Sequence, residues 1–156
     1  MNDERWQVAA RSPLGGLVAS LDRHGRIVGL VFDDGRAAPG ALPTDVSVQR
    51  LVDRWFAHGE ATPDAIAWPG ATRFRQQIWQ AVMAIGRGRV CSYGALAVAV
   101  GRPGAARAVG RALACNPILL LVPCHRVLGG DGALRGYAGG LARKRRLLAL
   151  EGVLPG

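Results

Sequence analysis

The sequence predicts an α/β N-terminal domain, antiparallel strands plus one helix, followed near residue 70 by a mainly helical C-terminal domain. Three observations carry this reading. Short β-rich runs parted by turn residues fill the first third. Beyond residue 70 the apolar spacing changes to the helical period. The charge changes sign at the same place: residues 1–71 hold seven Arg against nine acids, net −2, and residues 72–156 hold thirteen Arg and Lys against two acids, net +11. At 156 residues, 49% hydrophobic and 20% charged, the chain can bury a core, which excludes disordered and collagen-like classes.

The strands are expected at Trp6–Arg11, Leu17–Leu21 and Arg26–Phe32, separated by the turn signals Ser12-Pro13-Leu14-Gly15-Gly16 and Asp22-Arg23-His24-Gly25. After a loop with Gly35, Pro39, Gly40 and Pro43, Thr44 is positioned to cap a helix whose Val48, Leu51, Val52 and Trp55 share one face. Gly59, Pro63, Pro69 and Gly70 form a connector, so the domains are expected at 1–70 and 71–156. In the second, Phe74, Ile78, Val82 and Ile85 line a helix that ends at Gly86-Arg87-Gly88. Ser92 caps a short helix through Val100, Gly101-Arg102-Pro103-Gly104 turns the chain, and Ala105–Ala114 forms a second helix stopped at Asn116-Pro117. Two helices about a tight Gly-containing turn, with Arg107 and Arg111 outward, follow helix-turn-helix grammar, although an αα-hairpin in a helical core would read similarly.

The basic second half points to a polyanion partner, and its choice of Arg suits phosphate forks and base stacking. The apolar run Ile118–Pro123 is far short of the roughly 20 residues of a membrane span. The charged start, Met1-Asn2-Asp3-Glu4-Arg5, does not resemble a secretory signal. Three cysteines, Cys91, Cys115 and Cys124, do not make a disulfide framework, and the scattered His24, His58 and His125 do not make a structural zinc site. A reducing, cytoplasmic setting is therefore expected, with neither metal nor cofactor.

Ile118–Val122 reads as a buried strand leading into Pro123-Cys124-His125-Arg126-Val127 and a Gly129-Gly130-Asp131-Gly132 turn. A Cys at the end of a buried strand, beside His and Arg, is where a thiolate can be generated and presented. The competing reading is a small buried hydrophobe. Glu151 ends a helix over Leu141–Leu150, where a carboxylate opposes the macrodipole by about 0.3–1 kcal/mol. Either a histidine holds it there or it makes a surface ion pair of little worth. Asn116 before Pro117 is a helix stop or a brace for a neighbouring loop. Tyr93 is a core aromatic or a phenol within reach of a phosphate.

Pro123-Cys124-His125-Arg126-Val127 resembles the active-site motif of the O6-alkylguanine-DNA alkyltransferases. An ordered series supports the likeness: Arg89-Val90-Cys91-Ser92-Tyr93-Gly94, Ala105-Ala106-Arg107-Ala108-Val109-Gly110, Asn116-Pro117-Ile118, Gly136-Tyr137-Ala138-Gly139-Gly140 and Leu150-Glu151-Gly152. Ser12-Pro13-Leu14-Gly15 and Arg54-Trp55-Phe56-Ala57-His58-Gly59 are similar to weaker signatures of the family's N-terminal domain. The resemblance implies a ribonuclease-H-like N-terminal domain and a winged-helix-like C-terminal domain. It also implies direct-reversal DNA repair, in which an alkyl group moves once and irreversibly from O6-alkylguanine, and O4-alkylthymine, to Cys124. A non-catalytic lesion binder of the same fold is the alternative, and a cysteine hydrolase a third reading.

Carried over by position, Cys124 is the acceptor, His125 relays its proton toward Glu151, Asn116 braces the active-site turn, and Tyr93 helps protonate the departing guanine. Arg107 fills the gap left by a flipped base. Tyr93, Gly94, Arg102 and Gly130 join it against double-stranded DNA, and Val127, Tyr137 and Ala138 line the guanine pocket. The protein is expected to act as a monomer, away from membranes. Three positions depart from the family pattern: Cys115 before Asn-Pro, Leu119 at a pocket position, and Ala138 for a frequent Ser. The last two bear on tolerance for alkyl groups larger than methyl.

Overall fold

The computed structural model describes residues 5–156 other than positions 36, 39 and 61, so residues 1–4 and the loop proline Pro39 lie outside the described residues. Contacts divide the chain into two compact units, Met1–Pro69 with Pro117–Leu121, and Gly70–Asn116 with Val122–Gly156.

In the first unit β1 (Trp6–Ser12), β2 (Gly15–Leu21) and β3 (Ile27–Phe32) form an antiparallel sheet in the order β1-β2-β3. Period-two alternation sets its buried face: Val8 and Ala10, then Leu17, Ala19 and Leu21, then Leu30 and Phe32 are buried. The first hairpin is closed by Ser12, whose Oγ accepts from the Leu14 N–H at 3.2 Å and donates to the Gly15 carbonyl at 2.7 Å. Helix α1 (Val46–His58) turns Val48, Val52 and Trp55 inward and ends on Gly59 in the left-handed region, φ 73°. Gln49 ties it to β1 by accepting from the Arg11 N–H at 2.8 Å and donating to the Arg11 carbonyl at 3.0 Å. Its N-cap is Asp45, one residue after the expected Thr44: the Asp45 carboxylate accepts from the Val48 N–H, and Thr44 bridges to Ala9 instead.

The expected strand over Ile118–Val122 does not form. Ile118 makes a single bridge to Leu30, and Leu120 turns the chain at φ 66°. The Leu30 N–H donates to the Pro117 carbonyl at 2.8 Å, and the Leu119 N–H to the Leu30 carbonyl at 2.9 Å. This short, wholly buried segment covers part of the open edge of β3, an edge that would otherwise present unpaired main-chain groups. Its continuous apolarity, which suggested a strand, reflects burial alone.

The second unit is helical with one small parallel ladder. Helix α2 (Arg73–Met83) is capped by Thr72 and buries Ile78, Trp79 and Val82. The Trp79 indole N–H donates to the Ala112 carbonyl at 2.9 Å, so the ring packs without an unpaired donor. Helix α3 (Tyr93–Ala99) is capped by Ser92, whose hydroxyl accepts from the Ala95 N–H at 3.0 Å, and helix α4 (Ala106–Ala114) follows the expected Gly101–Gly104 turn. Both turn glycines have left-handed φ, 75° and 84°. Strand β4 (Cys91–Ser92) pairs in parallel with β5 (Val127–Leu128), Cys91 opposite Val127. Helix α5 (Leu141–Leu150) completes the unit.

The cap assignment is open to a direct check. Asp45→Ala should cost about 1 kcal/mol, while Thr44→Ala should stay within about 0.5 kcal/mol. Urea midpoints would show it, and equal losses would return the cap to Thr44.

Candidate active site

The β4–β5 ladder sets the site. It places the residue that begins α3, Tyr93, and the turn that precedes β5 on adjacent chain segments. That turn is a single 3-10 turn, Cys124–Arg126, and all three of its side chains are buried.

Cys124 is 7% exposed and forms part of the wall of a cavity of about 580 Å³. Asn116 donates from Nδ2 to the Val122 carbonyl at 3.1 Å and to Cys124 Sγ at 3.3 Å. It is thus both a helix stop and a brace beneath the sulfur. Burial pushes the Cys124 thiol above its usual range, against the opposing pull of the Asn116 hydrogen bond and the Lys144 charge. At neutral pH the resting group is therefore a thiol, and a thiolate has to be generated from it.

His125 is 0% exposed, with Nε2 3.0 Å from Glu151 Oε1. Since an ionised carboxylate only accepts, Nε2 carries the hydrogen, and in the neutral ring Nδ1 is left as the basic nitrogen. Burial pushes the imidazole below its usual range, more than Glu151 raises it. The ring meets Tyr137 edge-to-face, centroids 6.2 Å apart.

Glu151 is not a surface residue: its side chain is 4% exposed. Arg126 reaches it through Nε, 3.2 and 3.1 Å from the two oxygens, and through Nη2, 2.7 Å from Oε1. Nη1 of Arg126 donates to the Ile85 carbonyl at 2.6 Å. Burial alone would raise the Glu151 carboxyl, but the hydrogen bonds and charges of His125 and Arg126 hold it at about 2. The adverse helix position is thus overruled by two buried cationic or donor partners.

Tyr93, Arg107, Tyr137 and Ala138 all line the cavity with Cys124. So do Ala106, Gly110, Leu113, Ala114, Arg135 and Gly136, of which the sequence singled out only Ala106, Gly110 and Gly136, and those within motifs. The Tyr137 hydroxyl is buried and meets no hydrogen-bond partner among the described residues. Burial pushes both the Tyr93 and Tyr137 phenols up, so they are hydroxyl donors at neutral pH.

Other expected residues lie elsewhere. Val127 is fully buried in β5 and outside the lining; the carbonyl it offers is taken by Lys144. Leu119 belongs to the first unit, bonded to Leu30, and is likewise outside the lining. Arg102 lies over the Phe74 ring, 5.4 Å from its centroid, and that ring is only partly buried. Gly94 is in the first turn of α3, and Gly130 is in the exposed turn after β5. Cys91 is half-buried and Cys115 exposed. Among the described residues no three His, Cys, Asp or Glu side chains gather as a metal would require. Among the described residues no helix is long and apolar enough to cross a membrane.

A family described as 6-O-methylguanine DNA methyltransferase, DNA binding domain, matches residues 73–153. Proteins named methylated-DNA--protein-cysteine methyltransferase are 58% identical over 117 residues in Salmonella typhimurium and 46% identical over 148 residues in Mycobacterium leprae. The chain belongs to this methyltransferase family. The Salmonella alignment covers 74% of this chain and 65% of that protein, so the chain spans just under two thirds of it; the leprosy-bacillus alignment covers 90% and 88%. The crystal structure of Mycobacterium tuberculosis O6-methylguanine methyltransferase superposes with a TM-score of 0.79 at 34% identity, covering 98% of this chain and 96% of that one. The Mycobacterium tuberculosis family member in complex with DNA gives 0.77 at 36% identity, over 93% and 91%.

The buried cluster makes a stability prediction. Glu151 titrates near 4.5 when unfolded and at about 2 when folded, so its contribution is full above about pH 4.5 and lost as pH falls toward 2. His125, with a depressed folded pKa, adds to that loss once pH drops below its ordinary 6.5. The melting temperature should therefore fall more steeply between pH 5 and 3 in the natural protein than in Glu151→Gln. Arg126→Met should cost about 3–5 kcal/mol at pH 7, because it strands a buried carboxylate. Parallel acid slopes would remove Glu151 from the acid transition.

Proposed function

We propose that this protein repairs alkylated DNA by direct reversal, moving the alkyl group of O6-methylguanine, and of O4-methylthymine, to its own Cys124. The observation that carries the reading is the connected set Asn116–Cys124 and His125–Glu151–Arg126 at a cavity whose wall includes Cys124. Family membership supplies the reaction class, and the +11 half supplies the affinity for phosphate.

The chemistry follows from the protonation states. The Cys124 proton passes to Nδ1 of His125, directly or through a water, while Nε2–H stays on Glu151, whose charge stabilises the imidazolium. The sulfur forms a bond to the saturated alkyl carbon as the carbon–oxygen bond breaks, and the electron pair leaves with guanine O6. The Tyr93 hydroxyl, held protonated by burial, assists by donating toward the departing base. The thioether has no hydrolytic exit, so each molecule acts once.

The target nucleotide is extruded from the duplex into the cavity, where Tyr137 and Ala138 meet the base and Arg107, on α4, fills the space it leaves. Gly94, Arg102 and Gly130 lie along the same DNA path. The first unit is read as ribonuclease-H-like and the second as winged-helix-like, with the domain boundary near residue 70. The protein is read as a cytoplasmic monomer; its three free cysteines favour a reducing compartment. A lesion binder of the same fold has no use for a nucleophile, so Cys124 disfavours it.

Intact mass after incubation with duplex O6-methylguanine DNA should rise by one methyl per molecule, mapped to Cys124. Cys124→Ser should gain nothing while still binding DNA, and Cys91→Ser should react normally. Methyl on Cys115 would reassign the nucleophile. Arg107→Ala should weaken capture of lesion duplex more than of a single-stranded substrate, because unstacking costs a few kcal/mol only in the duplex. Equal losses on both substrates would rule out insertion.

A further inference from the structure

Residues 72–156 carry two acids against thirteen basic residues. Glu151 is taken up by His125 and Arg126; the other, Asp131, stands in the turn after β5. Its Oδ1 accepts from the Ala133 N–H at 3.0 Å and shapes that turn, while Oδ2 meets Arg135 Nη2 at 3.2 Å. The pair lies against Gly129, where a Cβ would fall 2.7 Å from Asp131 Oδ1 and 2.9 Å from Arg135 Nε. Main-chain bonds close the turn beneath it: the Gly129 N–H donates to the Ala133 carbonyl and the Gly132 N–H to the Gly129 carbonyl, each at 2.9 Å. The Arg135 and Gly136 carbonyls accept from Nζ of the buried Lys144 at 3.2 and 3.4 Å, which anchors this stretch of main chain on α5. Arg135 is therefore a placed cation, although its side chain is 59% exposed.

Arg135 also belongs to the wall of the cavity that holds Cys124. The charged side chains of that wall are Arg107 and Arg135, and among the described residues no Asp or Glu lines it. On the repair reading Arg107 is turned to the duplex, which leaves the Arg135 charge to whatever enters beside the sulfur. Burial and the Cys124 charge push the Tyr93 phenol up, and the Arg135 charge pulls it the other way. The guanidinium and the sulfur thus act on one hydroxyl across the same space. An exposed ion pair is worth little, so Asp131 holds the guanidinium loosely and a better-placed anion can take it over.

Guanine and a methyl group bring no anion to this wall. An alkyl group that ends in a carboxylate does, and it meets a difficulty of its own: the attacking sulfur becomes negative, and like charges repel. We propose that Arg135, held at the cavity rim by Asp131, is a specificity-determining residue that admits O6-alkyl groups ending in a carboxylate, of which carboxymethyl is the smallest. The proposal rests on the repair reading given above and names a further substrate class for the same sulfur. In the step, the Cys124 sulfur bonds to the CH2 carbon and its proton goes to His125. The carbon–oxygen bond breaks with its electron pair on guanine O6, leaving S-carboxymethylcysteine. The carboxylate does not react; it replaces Asp131 on the guanidinium fork and so offsets the repulsion from the sulfur. A backbone phosphate is the competing anion. A base extruded into the cavity, however, brings its alkyl group and not its phosphates to the sulfur.

Single-turnover transfer from two duplexes, with O6-methylguanine or O6-carboxymethylguanine at the same position, tests this by intact mass. The quantity read is the ratio of the carboxymethyl rate to the methyl rate. Arg135→Gln keeps N–H donors without the charge and should lower the ratio about fivefold. Arg135→Lys, which keeps the charge without the fork, should restore part of it. Asp131→Asn keeps an acceptor for the Ala133 N–H but frees the guanidinium, and should raise the ratio about twofold. The same order should appear, without DNA, in the ratio of Cys124 alkylation by iodoacetate to that by iodoacetamide in a Cys91→Ser, Cys115→Ser background. A ratio that Arg135→Gln leaves unchanged would overturn the proposal. That includes equal losses on both duplexes, the pattern of a contact to a backbone phosphate. If the natural protein gains neither group from DNA, the repair reading fails instead, and the iodoacetate-to-iodoacetamide ratios still decide whether Arg135 favours a carboxylate beside the sulfur.

Discussion

The candidate site depends on one buried carboxylate. Glu151 accepts from His125 and twice over from Arg126, and Arg126 is itself anchored on the Ile85 carbonyl after α2. Three chain segments distant in sequence are thereby fixed to one another: the end of α2, the Cys124–Arg126 turn and the end of α5. A buried ion pair of this kind contributes little net stability once desolvation is counted. What it contributes is geometry. The imidazole can hold only one tautomer and one orientation, because a carboxylate that stays ionised to about pH 2 always takes the Nε2 hydrogen.

The resting site is consequently quiet. Burial pushes the Cys124 thiol up and the His125 imidazole down, so at neutral pH the pair rests as a thiol beside a neutral ring. A sulfur of this kind is protected against adventitious oxidants and electrophiles, which attack thiolates. In the proposed mechanism, reactivity is released by a proton transfer inside the site and not by a permanently lowered thiol pKa. The exposed Cys115, by contrast, has no such shelter.

How much of this was legible in the sequence varied with the kind of interaction. Strands, helix faces and the Ser92 cap follow from local pattern, and all three strands and the helix pair lie within two residues of their expected bounds. Cys124, His125, Glu151, Asn116 and Tyr93 were named on motif resemblance, and their local chemistry left each reading open; the distances then joined Glu151 to His125 and Asn116 to the sulfur. Arg126 was read as a basic flank of the thiol, but its guanidinium turns to Glu151, a contact 25 residues away that no local rule supplies. Lys144 sat in a run of four basic residues that looks like a solvated face; only the helix phase beside Leu147 and Leu148 hinted at burial. The Ile118–Val122 segment misled because apolarity measures burial, and a buried turn satisfies it as well as a strand does.

That segment also governs how the chain can be divided. Residues 117–121 belong to the first unit, where they bridge Leu30, while Asn116 and Val122 on either side belong to the second and are joined by the Asn116 side chain. The second unit is therefore not one continuous stretch of sequence. A gene fragment encoding residues 70–156 alone would carry five apolar residues deprived of the strand edge they cover, shortly ahead of Cys124. A single cut at residue 70 therefore does not separate the two units, because the second is interrupted by five residues that pack in the first.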